Sequence, residues 1–107
     1  MDAKTFVDRF VIGTGWSQWE WWGPESCQDE LGLFLQVVDD VGDEMDLSGH
    51  VSNEQIFEMF KHLLMDESVR FSVNVDFVRG KIVDVDMDAD VADVLLQMTL
   101  LGEEMFS

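Results

Sequence analysis

From Phe71 to Met87 the chain alternates: Phe71, Val73, Val75 and Phe77 form one apolar set and Val83, Val85 and Met87 a second, with polar residues between them. A period of two does not fit a helix, so residues 69–88 are expected to form an antiparallel β-hairpin with one face on a core. A two-residue turn at Arg79-Gly80 would set Val75 opposite Asp84 and mix the faces. A three-residue loop, Arg79-Gly80-Lys81, pairs Phe77 with Val83, Val75 with Val85 and Val73 with Met87, and is the expected register.

That register has a consequence for the other face. Ser72, Asn74, Asp76, Asp84, Asp86 and Asp88 share it, and Asp76 lies across from Asp84, a like-charge pair that costs stability. Successive Asp on one strand stand about 6.7 Å apart, twice the strand rise. Val78 and Ile82 continue this face toward the turn. Antiparallel sheets often have a solvated face, but Asp is a poor strand former and mixed Thr, Lys and Glu are usual there. The row of carboxylates is therefore a candidate binding face.

Around the hairpin, helices are expected. Residues 3–12 place Phe6, Val7 and Phe10 inward and stop at Gly13-Thr14-Gly15. Ser26, after the Gly23-Pro24 break, is expected to cap a helix over 27–41, with Leu31, Phe34, Leu35, Val38 and Val41 at helical spacing. Ser52-Asn53-Glu54-Gln55 forms a capping box, Val51 and Ile56 a hydrophobic staple, and Ile56, Phe60, Leu63 and Leu64 a buried stripe. Asp90 is expected to cap a helix over 91–101 with Val94, Leu95, Met98 and Leu101 inward and Gly102 at its end. Trp16, Trp19, Trp21 and Trp22 fit either period; residues 16–22 are read as a short third strand, with most of the Trp cluster in the core. The expected fold is α+β: a small antiparallel sheet packed against about four helices, in one acidic domain over 1–107.

Charge narrows the function. Twenty-three Asp and Glu oppose six Lys and Arg, a net charge of −17, while 47% of residues are hydrophobic. The chain is too apolar for a disordered acidic tail, and its charge works against compaction, so neutrality would be the easier design. Phosphate backbones are repelled by such a surface, and basic proteins are steered toward it. A second acidic segment, Asp39-Asp40 with Asp43, Glu44 and Asp46, falls at the end of the expected 27–41 helix. Acids there oppose the helix dipole, which favours a role beyond folding.

Chemistry is poorly supported. Counting an EF-hand loop from Asp84 puts Ala89 and Leu95 where Gly and Glu are needed, and counting from Asp86 puts Val91 and Gln97 there. Cys27 is the sole cysteine, and no motif joins it to His50 or His62. No glycine-rich phosphate loop occurs. Neither metal nor cofactor is expected, and the chain is not read as an enzyme. No apolar run has the length of a membrane span, and Met1-Asp2-Ala3-Lys4 does not open a signal peptide, so a cytoplasmic protein without a disulfide is expected.

In composition, and not by motif, the profile is similar to inhibitors of nucleic-acid enzymes, such as nuclease immunity proteins and phage-encoded anti-defence DNA mimics of the anti-restriction or anti-CRISPR kind. That likeness implies a basic, nucleic-acid-binding partner, in the host cytoplasm if the gene is carried by a phage. The expected contact residues are Asp76, Asp84, Asp86 and Asp88 with Val78 and Ile82, and the segment Asp39, Asp40, Asp43, Glu44 and Asp46. The alternative is a small acidic chaperone or interaction module for a basic client, homodimeric through the Met- and Leu-rich C-terminal helix.

Overall fold

In the computed structural model, which describes residues 1–66 and 73–106, the stretch expected to be a helix over 27–41 is extended. Strand β1 (Cys27–Gln28) pairs antiparallel with β2 (Gly32–Leu35), and β2 pairs with β3 (Gly49–Ser52), giving a three-stranded sheet in the order β1-β2-β3. Helical spacing misleads here because Leu33 and Val37 fill the positions between. Leu33, Leu35, Val37 and Val38 are all buried, whereas Leu31 and Val41, two of the expected inward residues, are 73% and 80% exposed. A near-continuous apolar run covered on both faces is a central strand. Two local features favour it. Asp29 Oδ1 accepts from the Leu31 and Gly32 amides at 2.7 and 2.8 Å, folding the β1–β2 turn. Gly32 lies so close to β3 that a Cβ would fall on the Val51 carbonyl oxygen and Ser52 Cα.

Three α-helices, fewer than the four expected, accompany five strands among the described residues. Helix α1 (Ala3–Phe6) is capped by Asp2, continues into a π-helical turn over Val7–Val11 and a 3₁₀ turn over Ile12–Thr14, and ends at Gly15 in the left-handed conformation. Residues 16–22 are not a third strand: Trp16–Gln18 is a 3₁₀ turn, and Trp22 makes a single bridge to Val37. Helix α2 (Asn53–Met65) has the expected capping box, with Gln55 N donating to Ser52 Oγ at 3.0 Å and Ser52 N to Gln55 Oε1 at 2.7 Å. Helix α3 (Ala89–Leu101) ends at Gly102 as expected, but its cap is Asp88, whose Oδ1 accepts from Val91 N at 2.9 Å.

The hairpin forms a separate two-stranded sheet, β4 (Asn74–Val78) with β5 (Lys81–Asp86), so the described residues form two small sheets instead of one. Its register combines both alternatives. Next to the turn, Val78 pairs with Lys81 and Phe77 with Ile82, as a two-residue turn requires. An irregularity then leaves Val83 as an extra residue, and beyond it Asp76 pairs with Asp84 and Val75 with Val85, as expected for the longer loop. Arg79 and Gly80 both have positive φ, 54° and 78°, the signature of a type I′ turn. Residues 69–72 of the expected hairpin, Phe71 and Ser72 among them, lie outside the described residues.

One core joins these parts. Phe6 stacks on Phe57 with centroids 4.7 Å apart and meets Phe60 at 4.7 Å, tying α1 to α2. Leu33, Leu35 and Val37 from the first sheet, Ile82 and Val85 from the second, and Leu95 and Leu96 from α3 complete it. Burying side chains of this kind stabilises by about 1.5–3 kcal/mol each.

Candidate acidic interface and the tryptophan cleft

The hairpin presents Asp76, Asp84 and Asp86 to solvent, and the first two are cross-strand partners. Among the described residues, ion pairs engage Asp8, Asp29 and Glu58, and none engages the hairpin carboxylates. The apolar end of the face differs from expectation. Val78 is exposed at 55%, but Ile82 is buried in the core, because the extra residue at Val83 turns Ile82 inward; Val83, 45% exposed, is the outward residue. Asp88 is exposed but lies beyond β5, and its carboxylate is committed to the α3 cap.

The second acidic segment is a turn at the edge of the first sheet, not a helix end. Asp39 Oδ1 accepts from Val41 N at 3.0 Å and Asp43 N at 2.9 Å, and Gly42 takes a φ of 86°. Glu44 bridges Val38 and accepts from Gln36 Nε2 at 3.3 Å. Asp39 and Glu44 therefore help to build the loop. Asp40, Asp43 and Asp46 are exposed on it. The hairpin and this loop belong to different sheets.

A third feature escaped sequence reasoning. Asp93, in the first turns of α3, is buried. Its Oδ1 accepts from Trp21 Nε1 at 2.8 Å and Trp22 Nε1 at 2.6 Å, and its Oδ2 from Gln97 Nε2 at 2.9 Å. Burial raises the Asp93 carboxyl above its ordinary value, against the three donors that favour the charged form. Gln97, fully buried, extends the network: its Oε1 accepts from the Met105 and Phe106 amides, both at 2.9 Å, and its Nε2 also donates to Phe106 O at 3.1 Å. Phe106 is thereby held against Trp21, ring centroids 5.7 Å apart and nearly parallel at 13°. The four tryptophans divide in two. Trp16 and Trp22 are core, and Trp19 and Trp21 are half-buried and stacked on each other at 5.7 Å. The only local hint was the i, i+4 spacing of Asp93 and Gln97 on a helix whose Ala92 and Leu96 point inward.

Trp21 and Phe106 border a cleft of about 800 Å³, with Met45 on its apolar side and Glu20, Asp39 and Asp40 supplying carboxylates. Two of the five acids of the second acidic segment, Asp39 and Asp40, thus meet the tryptophan cluster.

Other candidates are plainly placed. Cys27 and His50 both pair with Phe34, from opposite sides of β2, so their backbones stand two strand spacings apart, roughly 9.6 Å. Cys27 is exposed, and His50 Nε2 lies 3.0 Å from Asp29 Oδ2. The Leu31 amide, with further help from Gly32 and His50, holds the Asp29 carboxyl below its usual range. Among the described residues no group of three or more His, Cys, Asp or Glu is arranged to hold a metal ion, and no helix is long and apolar enough to cross a membrane. Between Val91 and Leu101, the helix expected to carry a homodimer contact has no fully exposed residue. Compared with known proteins, the chain matches no family model, no curated protein and no solved structure.

Proposed function

We propose that this chain is an acidic inhibitor that occupies the basic, nucleic-acid-binding surface of a target protein, acting in the cytoplasm (the host's, if the gene is carried by a phage). The observation that carries this reading is the Asp76–Asp84 pair, held side by side and exposed, with Asp86 beside it and no cation paired to them among the described residues. A like-charge cross-strand pair lowers stability, and a chain of net charge −17 has no need of more acids for solubility. A row of Arg or Lys facing the hairpin removes that repulsion, so association and relief of strain coincide. Val78 and Val83 add apolar contact at the turn end, an arrangement suited to an interface centre with a charged surround. Such a complex forms fast and weakens steeply with salt.

The test is capture from a lysate of the source cell, or of its host, with wild type beside Asp76→Asn/Asp84→Asn/Asp86→Asn at low and moderate salt. The reading requires an identified basic nucleic-acid-binding protein, retained by wild type at low salt and lost by the triple variant. Equal retention by both proteins, or capture unaffected by salt, overturns the assignment of the hairpin face.

A further inference from the structure

We infer that the cleft beside Trp21 is a recognition site for an arginine side chain of the partner, an inference that rests on the partner being a basic protein. The cleft joins two chemistries that a guanidinium satisfies together. Phe106 offers flat aromatic surface beside Trp21, whose ring is already stacked with both Trp19 and Phe106, and Met45 offers an apolar wall for the methylene stem. Glu20, Asp39 and Asp40 offer carboxylates, and none of the lining residues is a cation. Guanidinium is planar, weakly hydrated, stacks on aromatic rings and bonds carboxylates through two N–H groups at once; the compact, strongly hydrated lysine ammonium does these things less well.

The site is also built before anything binds. Trp21 is fixed by its 2.8 Å bond to Asp93, Phe106 by two backbone bonds to Gln97, and the Asp40 backbone lies in the turn that Asp39 closes by accepting from Val41 N and Asp43 N. Little ordering remains to be done on binding.

The test needs no partner. The isolated chain is titrated with N-acetyl-arginine amide, N-acetyl-lysine amide and the neutral isostere N-acetyl-citrulline amide at constant ionic strength, following the indole N–H resonances of Trp21 and Trp22 by NMR. The arginine probe shifts the Trp21 signal saturably, and citrulline does not. Glu20→Gln/Asp40→Asn, which leaves the turn-forming Asp39 in place, weakens arginine binding about fivefold, and Phe106→Ala weakens it independently. Asp76→Asn/Asp84→Asn on the hairpin leaves it unchanged. No saturable shift, an equal response to citrulline or lysine, or an undiminished response in Glu20→Gln/Asp40→Asn overturns the inference. Because only the isolated chain is used, a failed titration leaves partner capture standing, and failed capture with a successful titration sinks the inhibitor reading and leaves an arginine-binding cleft without that partner.

Discussion

Replacing Asp93 with alanine removes the acceptor of two indole N–H groups at once. Trp22 is 5% exposed, so its donor finds no water and its loss costs about 2 kcal/mol; half-buried Trp21 regains some solvent and costs about 1 kcal/mol. Lost packing around the missing carboxyl and release of a charge from a site that disfavours it act in opposite directions, leaving a net loss of about 3 kcal/mol. With a urea dependence of about 1.5 kcal/mol per molar for a chain of this size, the unfolding midpoint falls by about 2 M. Asp93→Asn is milder. Its Oδ1 still serves both indoles, but its amide nitrogen faces the Gln97 Nε2 donor, for a loss of about 1 kcal/mol. The assay is urea unfolding followed by near-ultraviolet circular dichroism, which reports the tryptophans directly. An alanine variant whose midpoint lies within about 0.5 M of wild type would mean that Asp93 does not hold the two indoles in the folded chain. The same pair of proteins tests the pH dependence. Between the ordinary 3.8 and the raised value, the folded chain holds a proton on Asp93 that the unfolded chain has released. The Asp93 contribution is therefore complete below the unfolded value and is lost as pH rises through the folded one. Asp2, Asp8 and Asp29, whose carboxyls are lowered, act with the opposite sign, but they are present in both proteins and cancel in the difference.

The bulge in the hairpin makes neighbouring residues unequal: Ile82→Ala should cost about 2–4 kcal/mol in urea unfolding and Val83→Ala under about 0.5 kcal/mol. The reverse order would restore the simple three-residue loop. Arg79 sits at a positive φ that asparagine adopts more readily, so Arg79→Asn should stabilise by roughly 0.5–1 kcal/mol in thermal unfolding, whereas Gly80→Ala should destabilise. Gly32→Ala drives a methyl into the β3 backbone, and loss of the cooperative transition, or a drop of more than about 3 kcal/mol, is expected. Added sodium chloride should raise the thermal midpoint of wild type, because it screens the repulsion of a −17 chain; a midpoint indifferent to salt would count against that repulsion.

What was legible in the sequence was what local chemistry decides. The α2 capping box needs four consecutive residues, the α3 terminus needs one glycine, and the hairpin needs only alternation. Where a decision lay between distant segments, spacing was insufficient. Leu31, Phe34, Leu35, Val38 and Val41 satisfy a helix, Leu33 and Val37 between them make a continuous run that suits a strand equally, and what decides is the close approach of Gly32 to β3, twenty residues on. The expected α3 stripe was rotated for a similar reason. Asp93 and Gln97 are tolerated inside because Trp21, Trp22 and the C-terminal segment bring their polar groups to them, across 71 and 72 positions for the tryptophans. Hydropathy counts such residues as outward-facing. The acidic hairpin face was legible through its alternation, but the one-residue shift that buries Ile82 and frees Val83 was not, since either register alone obeys the period of two.

The most direct measurement of the central claim is competition. The captured basic protein is mixed with a fluorescent nucleic acid, and the chain is added while anisotropy is followed at low and moderate salt. Wild type should displace the nucleic acid with a one-to-one endpoint, and Asp76→Asn/Asp84→Asn/Asp86→Asn should need about ten times the concentration. A ternary complex, with nucleic acid and chain bound to the same partner at once, would contradict it.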